Sequence, residues 1–179
     1  MAVEYTPAAF ILMRLSKKLP LIALAILCAI SPNLIADVKV GDAMPDLTAY
    51  KLEGDLPKAT KDKVVLLDFW ASWCGPCEES FPAMVDLLKK YGSQGLVIVA
   101  VNVDEKKADM DGFLKSHAAT FIVVRDAKQK LVEKTGISTM PSSFLIGKDG
   151  KVAYSHSGFH GSKTVKQYEH EIETLLSAK

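Results

Sequence analysis

Two uninterrupted apolar runs dominate the middle of the chain, residues 64–67 within "VVLLDFW" and residues 96–101 within "LVIVAVNVD". Runs without alternation read as strands buried on both faces. Between them, from Pro76 onward, Phe81, Met84, Val85, Leu87 and Leu88 recur at helical spacing, and the pattern stops near "YGSQG". Downstream, "KKADMDGFLKSH" predicts a helix, "TFIVVRD" a short strand, and "QKLVEKTGI" a short helix closed by Gly136. Two apolar runs around "GKDGK" in "SSFLIGKDGKVAYSHSG" predict a hairpin. The last element, "SKTVKQYEHEIETLL", is an amphipathic helix with Val165, Tyr168, Ile172 and Leu175 on one face and Ser162 or Thr164 as its cap. Ahead of the first run, "VKVGDAMPDLTAYKLEGDLPKATKDK" is rich in turn residues, with apolar alternations around Leu47 and Leu52. It predicts an N-terminal β-hairpin or an irregular extension. The order β-α-β-α-β-α-β-β-α describes an α/β fold. Its helix-separated strands run parallel and its final hairpin adds an antiparallel edge.

The N-terminus follows a different pattern. Arg14, Lys17 and Lys18 precede an uncharged run over residues 19–36, and the small residue Ala36 stands before Asp37. This is the outline of a secretory signal peptide over residues 1–36, cleaved after Ala36, with Met13 as its natural start. The alternative is an uncleaved membrane anchor, since eighteen uncharged residues sit at the lower limit for spanning a bilayer. Pro32 and Asn33 weaken the far end of that run, and Leu27 is too bulky for a lipid-attachment box before Cys28. On either reading the domain over residues 37–179 is exported, and a periplasmic location is expected.

Composition changes the picture little. The 179-residue chain is 49% hydrophobic and 24% charged, which suits one globular domain with a real core. A net charge of +1 gives no electrostatic footprint for nucleic acid. Cysteine usage says more. Of three cysteines, Cys28 leaves with the leader, and the mature domain keeps Cys74 and Cys77.

Such a pair can be half a zinc site, a structural disulfide or a reversible redox couple. Disulfides persist outside the cytoplasm, but a bridge across two residues closes too short a loop to constrain the unfolded chain. The pair therefore favours chemistry over stapling. With Pro76 suited to a first helical turn, Cys74 falls at the positive end of a helix and is expected to be exposed, with Cys77 shielded one turn further in. Cys74 would attack a substrate disulfide and Cys77 would resolve the mixed disulfide. For zinc, His156 and His160 nominally complete a four-ligand set, but nearly 80 residues separate the halves and residues 157–159 suit a turn, so the pair reads as two exposed histidines after the last strand. No metal and no other cofactor is expected. His117 and His170 read as solvent-facing. Asp68 lies on a buried strand six residues before Cys74, where a carboxylate is costly unless paired or protonated. It either reaches solvent at the strand end or is a buried acid that accepts the proton of Cys77.

The stretch "DFWASWCGPC", then Phe81 and Pro82, then "GISTMPSSFLIGKDGKV" about 60 residues on, resembles the thioredoxin superfamily. The exported TlpA/ResA-like thiol-disulfide oxidoreductases, which include cytochrome c maturation proteins, are the subgroup it is most similar to. The resemblance covers roughly residues 40–178. It implies a thioredoxin-like fold, with a central mixed β-sheet and helices on both faces. It also implies a cis peptide at Met140–Pro141, which would set the Met140 backbone beside Cys74 to pair with an extended substrate segment. By the same resemblance Trp73, Gly75 and Pro76 belong to the docking surface, Trp70 is packing, and Pro82 is the helix-kinking proline. Protein disulfides are the implied substrates and a membrane thiol transporter the implied electron donor; a monomer is expected.

The departures bear on direction. Many exported members carry residues other than Gly-Pro between the cysteines, a basic residue after the second, and Asn where Asp68 stands. Here Glu78 and Glu79 follow Cys77, and "LVIVAVNVD" lacks the lysine that thioredoxins place near the acid. No histidine lies between the cysteines to stabilise the thiolate, so a reducing couple is expected, used in cytochrome c maturation or metal-site assembly. An oxidase or isomerase with the same residues is the first rival, and a metallochaperone-type binding module the second. A peroxidase ranks last, because no cysteine has the Pro-x3-Thr-x2-Cys context.

Overall fold

The computed structural model describes residues 37–57 and 60–178; the leader expected over residues 1–36 lies outside them. Strands β1 (Val64–Trp70), β2 (Leu96–Asn102), β3 (Ile122–Arg125), β4 (Ser142–Ile146) and β5 (Val152–Ser157) form one sheet in the order β3-β2-β1-β4-β5. The first three are parallel, while β4 runs antiparallel to β1 and to β5. Helices α1 (Gly75–Tyr91), α2 (Lys107–Ser116), α3 (Lys130–Thr135) and α4 (Ser162–Ser177) connect and cover them. Every strand and helix expected from residue 64 onward is present.

Strand alternation sorts β1 into two faces. Val64, Leu66, Asp68 and Trp70 share one. There Trp70 packs on Phe81 of α1 and Phe113 of α2, with ring centroids 4.8 Å apart in each case. Such rings bury large apolar areas and favour tilted or edge-on contact. Helix α4 lies over the same face and is tied to α1 by Lys90 and Glu169 at 2.7 Å. On the other face Val65 and Ile146 are covered by Met44, Leu47 and Leu56. Placed centrally and covered twice, β1 is buried along its whole length.

The expected N-terminal β-hairpin does not form among the described residues. Residues 41–44 instead bond the edge strand β5 and its turn, through Gly41 N–H to Val152 O at 2.8 Å and Met44 N–H to Gly150 O at 3.0 Å. Glu53 then exchanges both backbone bonds with Arg125 on the opposite edge strand, β3. The sheet's two open edges offer unpaired N–H and C=O groups, and the segment pairs with them rather than with itself. The start of α4 also differs. Gly161 precedes its first residue, no side chain caps it, and the Thr164 hydroxyl accepts the His160 N–H at 2.9 Å. Among the described residues, no helix is long and apolar enough to cross a membrane.

Candidate active site

After Trp70 the chain turns within four residues into α1. Cys74 is the N-cap, extended at φ −93° and ψ 102°, and its Sγ accepts the Cys77 N–H at 3.2 Å. Pro76 occupies the first turn, where its missing N–H leaves nothing unbonded. Cys74 and Cys77 are joined in a disulfide. Cys74 keeps only 5% of its surface exposed and Cys77 none. Cys74, expected to be exposed, is instead buried, because its sulfur is folded back over the first turn; Cys77 is shielded as expected. Pro82 is exposed and α1 continues through it, without the N–H that would reach the Glu78 carbonyl.

Trp73 stands 73% exposed beside the disulfide, with Gly75 and Pro76 also at the surface. It shares a groove of about 470 Å³ with Met140, Val103, Glu105, Lys106 and Val132. The Met140–Pro141 peptide is cis. The Pro141 carbonyl accepts the Gly158 N–H at 2.7 Å, whereas the Met140 backbone makes no bond to another backbone group among the described residues. Trp70 is fully buried, as packing requires.

Asp68 does not reach solvent. It is 2% exposed, and its Oδ1 accepts from the Ser143 hydroxyl at 2.6 Å, itself 2.7 Å from the Tyr168 hydroxyl. Its Oδ2 is buried with no partner among the described residues. Burial pushes its pKa up from 3.8 to about 7, and the Ser143 hydrogen bond partly opposes the rise. The partners found at the carboxyl are thus neutral hydroxyls from β4 and α4, while β2 places Ala100 beside it.

Several of these partners were not visible in the sequence. Ser143 follows from register, because β4 places it opposite Asp68, and only the "PSS" after the cis bond hinted at it. Asp104, 3% exposed and two residues past β2, holds the backbone N–H of Ser72 just ahead of the site. Two histidines need correction. His117 is not solvent-facing: its ring stacks on Phe113, with Nε2 2.9 Å from Glu78 Oε1 in the first turn of α1. His156 lies on β5 with Nε2 2.7 Å from Glu171, while His160 and His170 are exposed.

A reversible disulfide at a helix N-terminus can exchange with other disulfides, and comparison with known proteins agrees. The family model described as Redoxin matches residues 39–172. The chain belongs to the redoxin family, within the thioredoxin superfamily. It is similar to the thiol-disulfide oxidoreductase ResA of Geobacillus thermodenitrificans, at 36% identity over 76% of this chain and 79% of that one. ResA of Bacillus subtilis is 38% identical over 63% of each chain. Among solved structures, a Chlorobium tepidum protein assigned as thiol:disulfide interchange protein DsbE matches with a TM-score of 0.73 at 39% identity, over 79% of this chain and all of the other. This redoxin is therefore a thiol-disulfide oxidoreductase of the ResA/DsbE type, with the Cys74–Cys77 disulfide at its site.

Proposed function

We propose that this oxidoreductase is an exported disulfide reductase, with Cys74 as nucleophile, Cys77 as resolving thiol and Asp68 as proton acceptor. The observation that carries the reading is the graded burial of the pair at the start of α1, a small exposed edge on Cys74 and none on Cys77. Trp73, Gly75 and Pro76 form the docking surface, and the free Met140 backbone before Pro141 pairs with an extended substrate segment.

Direction follows from what stabilises the thiolate. The first turn of α1 favours negative charge at Cys74, but no histidine lies between the cysteines, and Glu78 and Glu79 oppose it. A weakly stabilised thiolate means a stable disulfide and a reducing couple. In an oxidising compartment a reductant needs an electron supply, which a membrane thiol transporter would provide. Haem-site cysteines in cytochrome c maturation and cysteines of metal sites under assembly are the substrates that need such a donor. The protein works as a monomer in the periplasm, freed by cleavage after Ala36 or held by its N-terminal segment.

Equilibrating the protein against defined thiol and disulfide ratios tests this. A potential below about −220 mV supports the reductase, and one above about −160 mV makes it an oxidase or isomerase.

A further inference from the structure

We propose that Ser143 and Tyr168 are positioning residues for Asp68, engaging its Oδ1 through a one-way chain of hydroxyls and leaving Oδ2 as the oxygen that takes the proton of Cys77. The inference rests on the reading of Asp68 as proton acceptor and says what makes it competent.

The direction of the chain is set by counting protons. A serine hydroxyl has one, and Ser143 donates it to Asp68 Oδ1. Ser143 Oγ therefore accepts from Tyr168, 2.7 Å away, giving Tyr168 O–H to Ser143 O–H to Asp68 Oδ1. Both hydroxyls are buried, so no solvent competes for them. Each donor in such a chain polarises the next. The Ser143 hydrogen bond favours the carboxylate over the acid, against the burial that favours the acid, and Tyr168 acts through Ser143. Without them a carboxyl this deep would stay protonated and could accept nothing.

Oδ2 has the opposite character, buried and unpartnered among the described residues. A polar atom left so is costly, and here it lies on the sheet face that α1 covers, the helix carrying Cys77. In the disulfide form Cys77 has no exposed surface, which favours an internal base over water for its proton. Among the described residues, register and hydrogen bonds bring Ser143 from β4, Tyr168 and Glu171 from α4 and His156 from β5 to this region, Ala100 of β2 pairs with Asp68, and the covering helix α1 carries the fully buried Cys77. His156 is bound to Glu171 and meets Tyr168 edge-on at 5.0 Å.

The step balances. In the mixed disulfide, Cys77 S–H gives its proton to Asp68 Oδ2, and its sulfur attacks Cys74 Sγ. The Cys74–Cys77 bond forms, the bond from Cys74 to substrate breaks, and the substrate leaves as a thiolate that takes a proton from water. The domain dithiol is oxidised by two electrons and the substrate disulfide is reduced. Asp68 regains its charge by releasing the proton, and an external dithiol later reduces the domain again.

The test uses the full chain and the variants S143A, S143T, Y168F and D68N. In the oxidised protein, carboxyl ¹³C NMR follows the Asp68 titration directly. In the reduced protein, the rate of reduction of a small disulfide is followed against pH. S143A should raise the Asp68 midpoint by roughly one unit or more, Y168F by less, and S143T should restore it because a β-branched hydroxyl suits a strand. The matching limb of the pH–rate profile should move with each. An unmoved midpoint in S143A, with D68N removing the limb, overturns the hydroxyl chain and leaves the proton acceptor standing. A limb that survives in D68N overturns the acceptor itself and the chain with it. If S143A does not fold, Y168F decides, since it deletes one oxygen and keeps the ring.

Discussion

Asp104 accepts the backbone N–H of Ser72 at 3.1 Å and its hydroxyl at 3.2 Å, bridging the end of β2 to the turn that leads into Cys74. Asn102 braces the carboxylate from below, donating from Nδ2 at 2.8 Å and accepting the Asp104 N–H at 3.0 Å. The position of Cys74 therefore depends on a carboxylate thirty residues later in sequence. Replacing Asp104 with Ala strands the Ser72 N–H and the Asn102 amide in a largely buried site. That should cost about 1–3 kcal/mol and speed hydrogen exchange at the Ser72 amide. Denaturant unfolding of the oxidised protein measures the first and NMR the second. Unchanged exchange at Ser72 would mean the turn holds its shape without Asp104.

Asp68 should make the fold less stable as pH rises. Its folded-state pKa, about 7, lies above the ordinary 3.8, so the native state binds this proton more tightly than the unfolded chain does. The associated stability is complete below pH 3.8 and is lost as pH climbs through about 7. A difference of some three units corresponds to about 4 kcal/mol. Between pH 4 and 8 the wild-type protein should lose roughly that much relative to Asp68→Asn, which cannot ionise. Denaturant unfolding of both proteins across this range checks it. A constant difference would place the Asp68 titration outside the window.

The limits of the sequence reading have physical causes. Continuous apolar runs and the motif "WCGPC" report on local structure, so β1, α1 and the redox pair were legible directly. The N-terminal segment leaves a hairpin and an irregular extension equally open because its alternation fits any strand partner, and only the assembled sheet decides that the partners are the β5 edge and β3. Ser143, Tyr168, Asp104 and His117 escaped for a related reason. Each meets the site through register or helix packing, with sequence separations from 32 to 75 in the hydrogen bonds of Asp104, His117 and Ser143. Polar residues with long-range partners leave no periodic signal.

Glu78 should make the couple more reducing. It follows Cys77 in the first turn of α1, where its charge opposes the thiolate that appears on reduction. At 60% side-chain exposure solvent screens it, so a surface value of roughly 0.3–1 kcal/mol applies. Thiol–disulfide linkage turns that into roughly 5–20 mV. Glu78→Gln should raise the potential by this amount. His117→Ala should lower it by less, since the carboxylate loses the ring nitrogen that disperses its charge. Opposite shifts in the two variants support a charge effect. Equal shifts would point to a general loosening of the first turn.

Trp73 should matter for protein substrates and not for the chemistry of the pair. At 73% exposed it buries little apolar surface in the free protein, so Trp73→Ala should leave the unfolding midpoint unchanged. Its ring nevertheless lines the groove that Met140 also borders, where a bound segment would cover it. Aromatic anchors of this kind contribute on the order of 1–2 kcal/mol once desolvated, so kcat/KM for a protein disulfide should fall about tenfold. Reduction of glutathione disulfide, too small to span the groove, should change by less than about twofold. Comparing the two substrates on one variant separates docking from reactivity. A parallel loss on both would assign Trp73 to the support of Cys74, and the groove would lose its claim as the docking surface.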